Sequence, residues 1–476
     1  MSDLYEYNLK SESQKNNFQF MSETKISKLV TKMAVPSIVS MLVLSIYSLT
    51  DIYFVSKLGT SASAAVGIVF SVMTLIQAFS FMLGTGAGSL IARYLGAGKL
   101  KNTDEIASVT FFSSLLGGII VLILGQYFKT DLMKLLGATS TILPYAEEFS
   151  HYILIASPVM CCAFVLNILL RSQGKPVLSM IGLAVGGILN IILAPILIFY
   201  FKMGISGSGL ATLISQCVSF IVLLILYLSQ KDFAKIKISL FVKNFTTWII
   251  SIVVTGSATL LRQGLVMVAN VLLNNHARIY GDSALAGITI SSRIFLFVVS
   301  VMFGLGQGFQ TVAGFSFGAK NFERLKSSFK FTIALSFIIE LCLSVLLFIF
   351  SSSIIKLFQS NEEVVKIGSE AVRYFALSMP FLPIAVITNM LFQSTGQNKQ
   401  GIFLASCRQG IFFIPLIFIL TKFFQLKGIE ICQPISNFLT ALTAIPFLSG
   451  RFSLYSSHTV RSCLTPPKSA PDALRI

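Results

Sequence analysis

The 476-residue chain is 54% hydrophobic and only 12% charged, with a mean hydropathy of +0.82 and a formal net charge of +17. Soluble domains carry roughly 25% charged residues, so the composition excludes a water-soluble globular chain and requires a bilayer as solvent. Within lipid every backbone N–H and C=O must be paired internally, which leaves helices or a closed barrel. The apolar runs are long and continuous, as in 181–200, rather than alternating, and so select helices.

In chain order, the segment 1–30 is polar and charged with no apolar core, and reads as a cytoplasmic segment rather than a cleavable signal peptide. Six spans are predicted over 31–230 and six more over 245–450, each holding about 20 or more apolar residues. Short turns punctuate them: Lys57-Leu58-Gly59, Gly96-Ala97-Gly98-Lys99, Ser172-Gln173-Gly174-Lys175-Pro176 and Gly318-Ala319-Lys320. Residues 231–244 form a polar cytoplasmic linker between the halves. Residues 451–476 hold Pro466, Pro467 and Pro471 without an apolar period, and read as a disordered cytoplasmic tail. With the N-terminus inside, the inner segments carry more than twice as many Lys and Arg as the outer ones. That bias places both termini in the cytoplasm, and it accounts for the positive charge without nucleic acid. All cysteines but Cys463 lie in apolar segments with no CxxC pair, and His151, His276 and His458 make no pair at ligand spacing. No metal centre, cofactor or disulfide framework is expected, and no nucleophile motif suggests an enzyme.

The strongest internal signal is a repeat. At a shift of 222 residues Gly59 falls on Gly281, Ala62 on Ala284, Gly84 and Gly86 on Gly306 and Gly308, and Gly96-Ala97 on Gly318-Ala319. Pro158, Asn167, Ser172 and Gly174 fall on Pro380, Asn389, Ser394 and Gly396; beyond them the register drifts, Pro195 pairing with Pro415 and Gly204 with Gly428. Six spans per half give the halves the same orientation in the membrane, related by a pseudo-twofold axis along its normal. The expected fold is an all-α membrane protein of twelve transmembrane helices in two six-helix bundles. A duplicated channel or receptor is the plain alternative, but two matched bundles suit a transporter better.

Several stretches carry a family resemblance over about residues 30 to 450. The first span reads Pro36-Ser37-Ile38, then Leu49-Thr50-Asp51-Ile52-Tyr53-Phe54-Val55. The second ends in Gly84-Thr85-Gly86-Ala87-Gly88, the fourth in Leu170-Arg171-Ser172-Gln173-Gly174, and the eighth holds Gly306-Gln307-Gly308-Phe309-Gln310. The chain resembles the MATE (multidrug and toxic compound extrusion) family, in its bacterial MepA-like branch. The resemblance implies a cation-coupled exporter of small amphipathic organic cations in the bacterial plasma membrane, a determinant of antibiotic resistance that works as a monomer. It also implies two six-helix lobes around a V-shaped cavity, and inward H+ or Na+ as the driving ion.

Asp51 is the first candidate for the chemistry. It is the only acidic residue well inside the first six spans, and charge in that setting is costly and usually functional. It lies about 18 residues into its span, toward the outer side at about 1.5 Å per residue. The plain alternative is a structural carboxylate held by Ser48, Thr50 or a neighbouring helix. In related transporters the coupling site joins such an Asp to an Asn and an Asp one turn apart in span five and to a Thr in span six. Here the matches are Asn190 and Thr212, whereas Ala194 stands where the family commonly has Asp. Losing that oxygen donor favours H+ over Na+, or else a variant with weakened transport. Tyr47, Phe70, Met73, Gln77, Met180 and Phe295 are candidate cavity linings, against ordinary helix packing. Arg262, Arg293 and Arg408 are cations within spans, and are expected to pair or to serve structure; Glu340 is a candidate partner or a second proton site. Asp51 maps onto Leu273, so the repeat predicts one such carboxylate site, in the first half. The rival function within the superfamily is a lipid-linked oligosaccharide flippase, which needs a cation-rich path for an anionic headgroup.

Overall fold

A computed structural model describes residues 12–230, 234–359 and 361–451. Residues 1–11, the linker residues 231–233, and the expected tail beyond Arg451 lie outside the described residues. The described chain is helical and contains no strand. A polar helix α1 (Glu12–Glu23) precedes α2 (Ile26–Ser56), α3 (Thr60–Gly96), α4 (Leu100–Tyr127) and the short α5 (Lys129–Leu135). The first half then continues with α6 (Leu143–Ser172), α7 (Pro176–Pro195), which runs into a π-helical turn Ile196–Tyr200, and α8 (Gly204–Leu228). The second half holds α9 (Ile238–Arg278), α10 (Asp282–Gly318), α11 (Phe322–Lys356) and α12 (Glu362–Ser378). A 3-10 turn Met379–Phe381 leads to α13 (Leu382–Thr395), and a π-helical turn Cys407–Ile411 joins α14 (Asn398–Ser406) to α15 (Phe413–Arg451). Eleven described helical segments are long and apolar enough to cross a bilayer, and the last of them, Asn398–Phe447, is 50 residues. A crossing needs only about 20. The backbone leaves the helical region at Gln425 (φ 52, ψ −128), which divides that segment into two crossings and brings the number to the expected twelve.

Backbone geometry follows the repeat closely. Left-handed residues end the corresponding turns in both halves: Gly59 and Gly281, Gly98 and Lys320, Gly174 and Gly396. Glycine is favoured there because its missing Cβ removes the steric penalty of positive φ; Lys320 accepts that penalty where the first half has Gly98. One hydrogen bond is also duplicated. Asn167 Nδ2 donates to the carbonyl of Ser179 at 2.8 Å, and Asn389 Nδ2 donates to that of Gly401 at 2.6 Å. A Cβ on Gly84 would meet Ile168 at 2.4 Å, and one on Gly306 would meet its counterpart Met390 at 2.4 Å. Small residues at these crossings let helices approach closely where no water drives their association.

The chain forms two compact units. The first comprises α1 and Val39–Gly256, the second Lys25–Ile38 with the chain from Ser257 onward. Thus the opening turns of α9 belong to the first unit, where Gly256 lies against the backbone of Met82 and Gly86 against that of Ile252. Correspondingly, the opening turns of α2 belong to the second unit, with Gly304 against Ile38 and Gly308 against Ala34. Each unit has a central helix. Residues 160–172 of α6 are all buried, as are residues 385–395 of α13. The central helices differ at one point. Pro158 is accommodated within α6, whereas its counterpart Pro380 sits in the 3-10 turn, with Pro383 following three residues later. Two closely spaced prolines remove two helix donors and clash with preceding carbonyls, which accounts for the interruption.

In the first unit, a Cβ on Gly118 would fall 2.4 Å from Pro158 Cα, and Ser157 Oγ donates to the Gly118 carbonyl at 2.9 Å. Gly118→Val should cost about 1–3 kcal/mol by overpacking, read as a lowered melting temperature of the detergent-purified protein. Gly67→Val, where nothing lies within 4 Å, should be markedly better tolerated.

Candidate functional site

The site lies within the first unit, where α2, α7 and α8 converge. Asp51 is 5% exposed, and Ser208 Oγ on α8 donates to its Oδ1 at 2.5 Å. One turn earlier on α2, the Tyr47 hydroxyl lies 3.4 Å from Thr212 Oγ1, which also accepts from Asn190 Nδ2 of α7 at 3.2 Å. The spacing is i, i+4 on both α2 (47 and 51) and α8 (208 and 212), so the two contacts form successive rungs between one face of each helix.

Sequence explains why α8 presents that face. Ser208, Thr212, Ser215 and Ser219 recur at helical spacing and all are buried. Glycines on α7 let this polar stripe approach: a Cβ on Gly186 would sit 2.7 Å from Ser219 Cβ, and Ser219 Oγ donates to the Gly182 carbonyl at 2.9 Å. Beside the rungs is a cavity of about 20 Å³ lined in part by Tyr47, Gly186, Gly187, Asn190 and Ser215. That volume suits about one water molecule. Asn190 Oδ1 and Ser215 Oγ are buried without a hydrogen-bond partner, so the pocket offers oxygen atoms to a small guest. Among the described residues no Lys or Arg forms an ion pair with Asp51. A carboxyl so placed must be protonated, bonded by neutral donors or neutralised by a bound cation.

The expected coupling residues Asp51, Asn190 and Thr212 therefore share one polar set, with Tyr47 bridging toward Thr212. Ala194 is fully buried in the apolar core of the unit beside Ala211 and Ile198. The set draws its oxygens from Tyr47, Asp51, Asn190, Ser208 and Thr212, and Ala194 adds none. Of the six expected cavity residues, Tyr47 is the one tied to this set. Met73 is packed in the same apolar core. Phe70 is exposed, while Gln77 and Met180 are half-buried. Phe295 stacks on Phe375 at 4.8 Å in the second unit. Arg262 lies over the Phe303 ring at 4.6 Å, Arg293 is exposed, and Arg408 and Glu340 are buried. Ser208 is not among the residues that the sequence reading selects, although its place in a Ser/Thr stripe with period near 3.6 is a usable signal.

Comparison with known proteins gives a consistent picture. The MatE family model matches residues 36–196 and 258–419. The multidrug export protein MepA of Staphylococcus haemolyticus is 27% identical over 453 residues, covering 95% of this chain and 97% of that protein. An outward-facing multidrug resistance MATE transporter of the MOP superfamily superposes with a TM-score of 0.87 at 25% identity, covering 92% of this chain and 98% of the other. A MOP-superfamily transporter from Pyrococcus furiosus, whose reversed binding-pocket polarity suggested a different function, gives 0.86 at 25% identity over 93% of this chain and 99% of the other.

The Asp51–Ser208 contact is testable by a double-mutant cycle on thermal stability. Ser208→Ala should cost about 1–3 kcal/mol by leaving a buried acceptor without its donor. Made in an Asp51→Leu background, the same change should cost less, by a coupling of about 1 kcal/mol.

Proposed function

The chain belongs to the MatE family of membrane transporters, and from that premise we propose that it is a cation-coupled antiporter exporting amphipathic organic cations by alternating access, with H+ favoured over Na+. As a member of that family it is a multi-pass membrane transport protein and not an enzyme. The likeness to MepA, a multidrug export protein, supports the substrate class. One observation carries the mechanism: Asp51 is a buried carboxyl that accepts from the neutral hydroxyl of Ser208, in a set that also holds Tyr47, Asn190 and Thr212. Loading a cation from one side and releasing it to the other changes what this carboxyl must bond to. That difference is what biases a two-state carrier, because a ligand shifts an equilibrium only by its differential affinity for the two states.

Ala194 supports the choice of ion. A hard metal cation collects several oxygen ligands, whereas a proton needs only the carboxyl. With a methyl group at 194 the set lacks the second carboxylate that would balance and coordinate Na+. On this reading the protein works in the bacterial plasma membrane as a monomer, and the Lys and Arg bias supports both termini in the cytoplasm. The flippase alternative is weakened by the scarcity of cations within spans, where the sequence places only Arg262, Arg293 and Arg408.

Dye efflux in membrane vesicles tests both the function and the ion. With ethidium as substrate, wild-type protein should respond to an imposed proton gradient, and Asp51→Asn should reduce that efflux by at least about tenfold. Normal export by Asp51→Asn under both proton and sodium gradients would overturn the mechanism. Ala194→Asp should introduce or strengthen a sodium response; absence of any change would remove the structural reason for preferring protons. Translocation of a lipid-linked sugar without dye efflux would establish the flippase instead.

A further inference from the structure

The second unit contains a carboxyl that Asp51 chemistry does not use. Glu340 lies midway along α11, fully buried, and neither of its oxygens has a hydrogen-bond partner. It belongs to a polar stripe in which Ser328, Thr332, Ser336, Glu340 and Ser344 recur at every fourth position, all of them buried. Ser344 Oγ donates to the Ala376 carbonyl at 2.6 Å, which sets α11 against the end of α12. One turn back along this antiparallel pair, Glu340 falls at the level of the 3-10 turn Met379–Phe381. Glu340 also stands at the repeat position of Gly118, where the first unit needs a hydrogen atom to pack against Pro158. A glutamate at a helix crossing that otherwise calls for glycine is a poor packing choice, and implies a chemical one.

Arg408 supplies the complementary charge. It occupies the π-helical turn Cys407–Ile411, a kind of helix defect frequent at functional sites. It is buried, with Nε unpartnered. Together with Gln409, Asn270, Ser292 and Gln433 it lines a cavity of about 30 Å³, room for about one water. Arg408 and Glu340 act on each other electrostatically, yet among the described residues no ion pair within 4 Å joins them. Other charges on the surrounding elements are placed differently. Arg373 on α12 donates to Ser351, three turns along α11 from Glu340. Arg293 on α10 is exposed, Asp282 opens that helix, and Glu362, Glu363, Lys366 and Glu370 lie on the earlier turns of α12. Neither α13 nor the 3-10 turn carries a charge. Arg262 lies near Arg408, over Phe303, and Glu430 is buried on α15.

An ionised carboxylate with no donor and no cation in contact is strongly disfavoured. We propose that Glu340 is a second proton-binding carboxyl of this protein, exchanging its proton for the Arg408 guanidinium. In the present arrangement Glu340 is the neutral acid. When its proton passes to a water that enters between it and Arg408, the carboxylate draws in the Arg408 fork, and reprotonation releases it. This rests on the proton-coupled reading above, but binding of the proton is measurable without transport.

The test is infrared difference spectroscopy of the protein in lipid across a pH jump, read in the C=O stretch of protonated carboxyls. Glu340→Gln should abolish one band that Asp51→Asn leaves in place, and should lower the number of protons taken up per substrate exported by about half. Glu340→Asp keeps the carboxyl and should shift that band, which decides the question equally well should the glutamine variant be unstable. Arg408→Gln should leave the band present but insensitive to pH. Carboxyl bands in Glu340→Gln and Glu340→Asp unchanged from wild type would overturn the proposal even if protons drive efflux. Loss of the Glu340 band in a protein whose efflux follows sodium alone would leave this site standing and defeat the proton-driven reading.

Discussion

Everything in this molecule depends on the fact that a buried polar group in a lipid-embedded bundle has no water to fall back on. It must find a partner inside its own bundle, bind a small guest or be neutral. Asn167 and Asn389 meet this demand structurally, each donating to the backbone carbonyl twelve residues further on. Asp51 meets it with a hydroxyl from another helix. Asn190 Oδ1 and both Glu340 oxygens do not meet it, and with the Asp51 carboxyl they are the groups on which chemistry is placed. Satisfied polar atoms hold a fold together; unsatisfied ones in a native bundle call for a functional explanation.

The repeat makes these exceptions visible. Two halves with the same turns, the same Asn-to-carbonyl bonds and the same glycine contacts act as controls for each other. Against that background two differences in polar character stand out. Asp51 corresponds to Leu273, and Gly118 to Glu340. Each half thus has an interior polar site, but of different composition. The first is built of neutral hydroxyls and an amide around one acid. The second has an acid and a guanidinium held apart, next to interruptions of regular helix in the 3-10 turn at Met379–Phe381 and the π turn at Cys407–Ile411. Helix breaks at membrane depth are tolerated where they line cavities, which agrees with the cavity beside Arg408.

The central helices show how a small backbone change reaches such a site. The first unit keeps Pro158 in a continuous helix, while Pro380 and Pro383 together convert the corresponding turn to 3-10 geometry. The difference is local in sequence but falls at the level of Glu340 in the folded unit. A backbone change of three residues therefore lies beside the one fully buried carboxyl of α11.

Composition alone determined the membrane setting and the helical class, because apolar runs of this length have no other stable form in lipid. The shift of 222 residues determined the duplication, since glycines, prolines and asparagines at helix crossings and turns leave fixed marks in the chain. Asp51 stood out for the same reason: a single acid in long apolar spans is conspicuous. Other features needed the tertiary structure. Ser208 is one hydroxyl among many, and only the packing of α8 on α2 makes it the donor to Asp51. Tyr47 reads as a cavity aromatic until its hydroxyl is found beside Thr212. The grouping of the opening turns of α2 and α9 with the opposite halves of the chain follows from contacts between residues far apart in sequence, such as Gly308 with Ala34. Periodicity reports which face of a helix is buried; which partner covers that face is decided by packing between distant segments, and no local pattern records it.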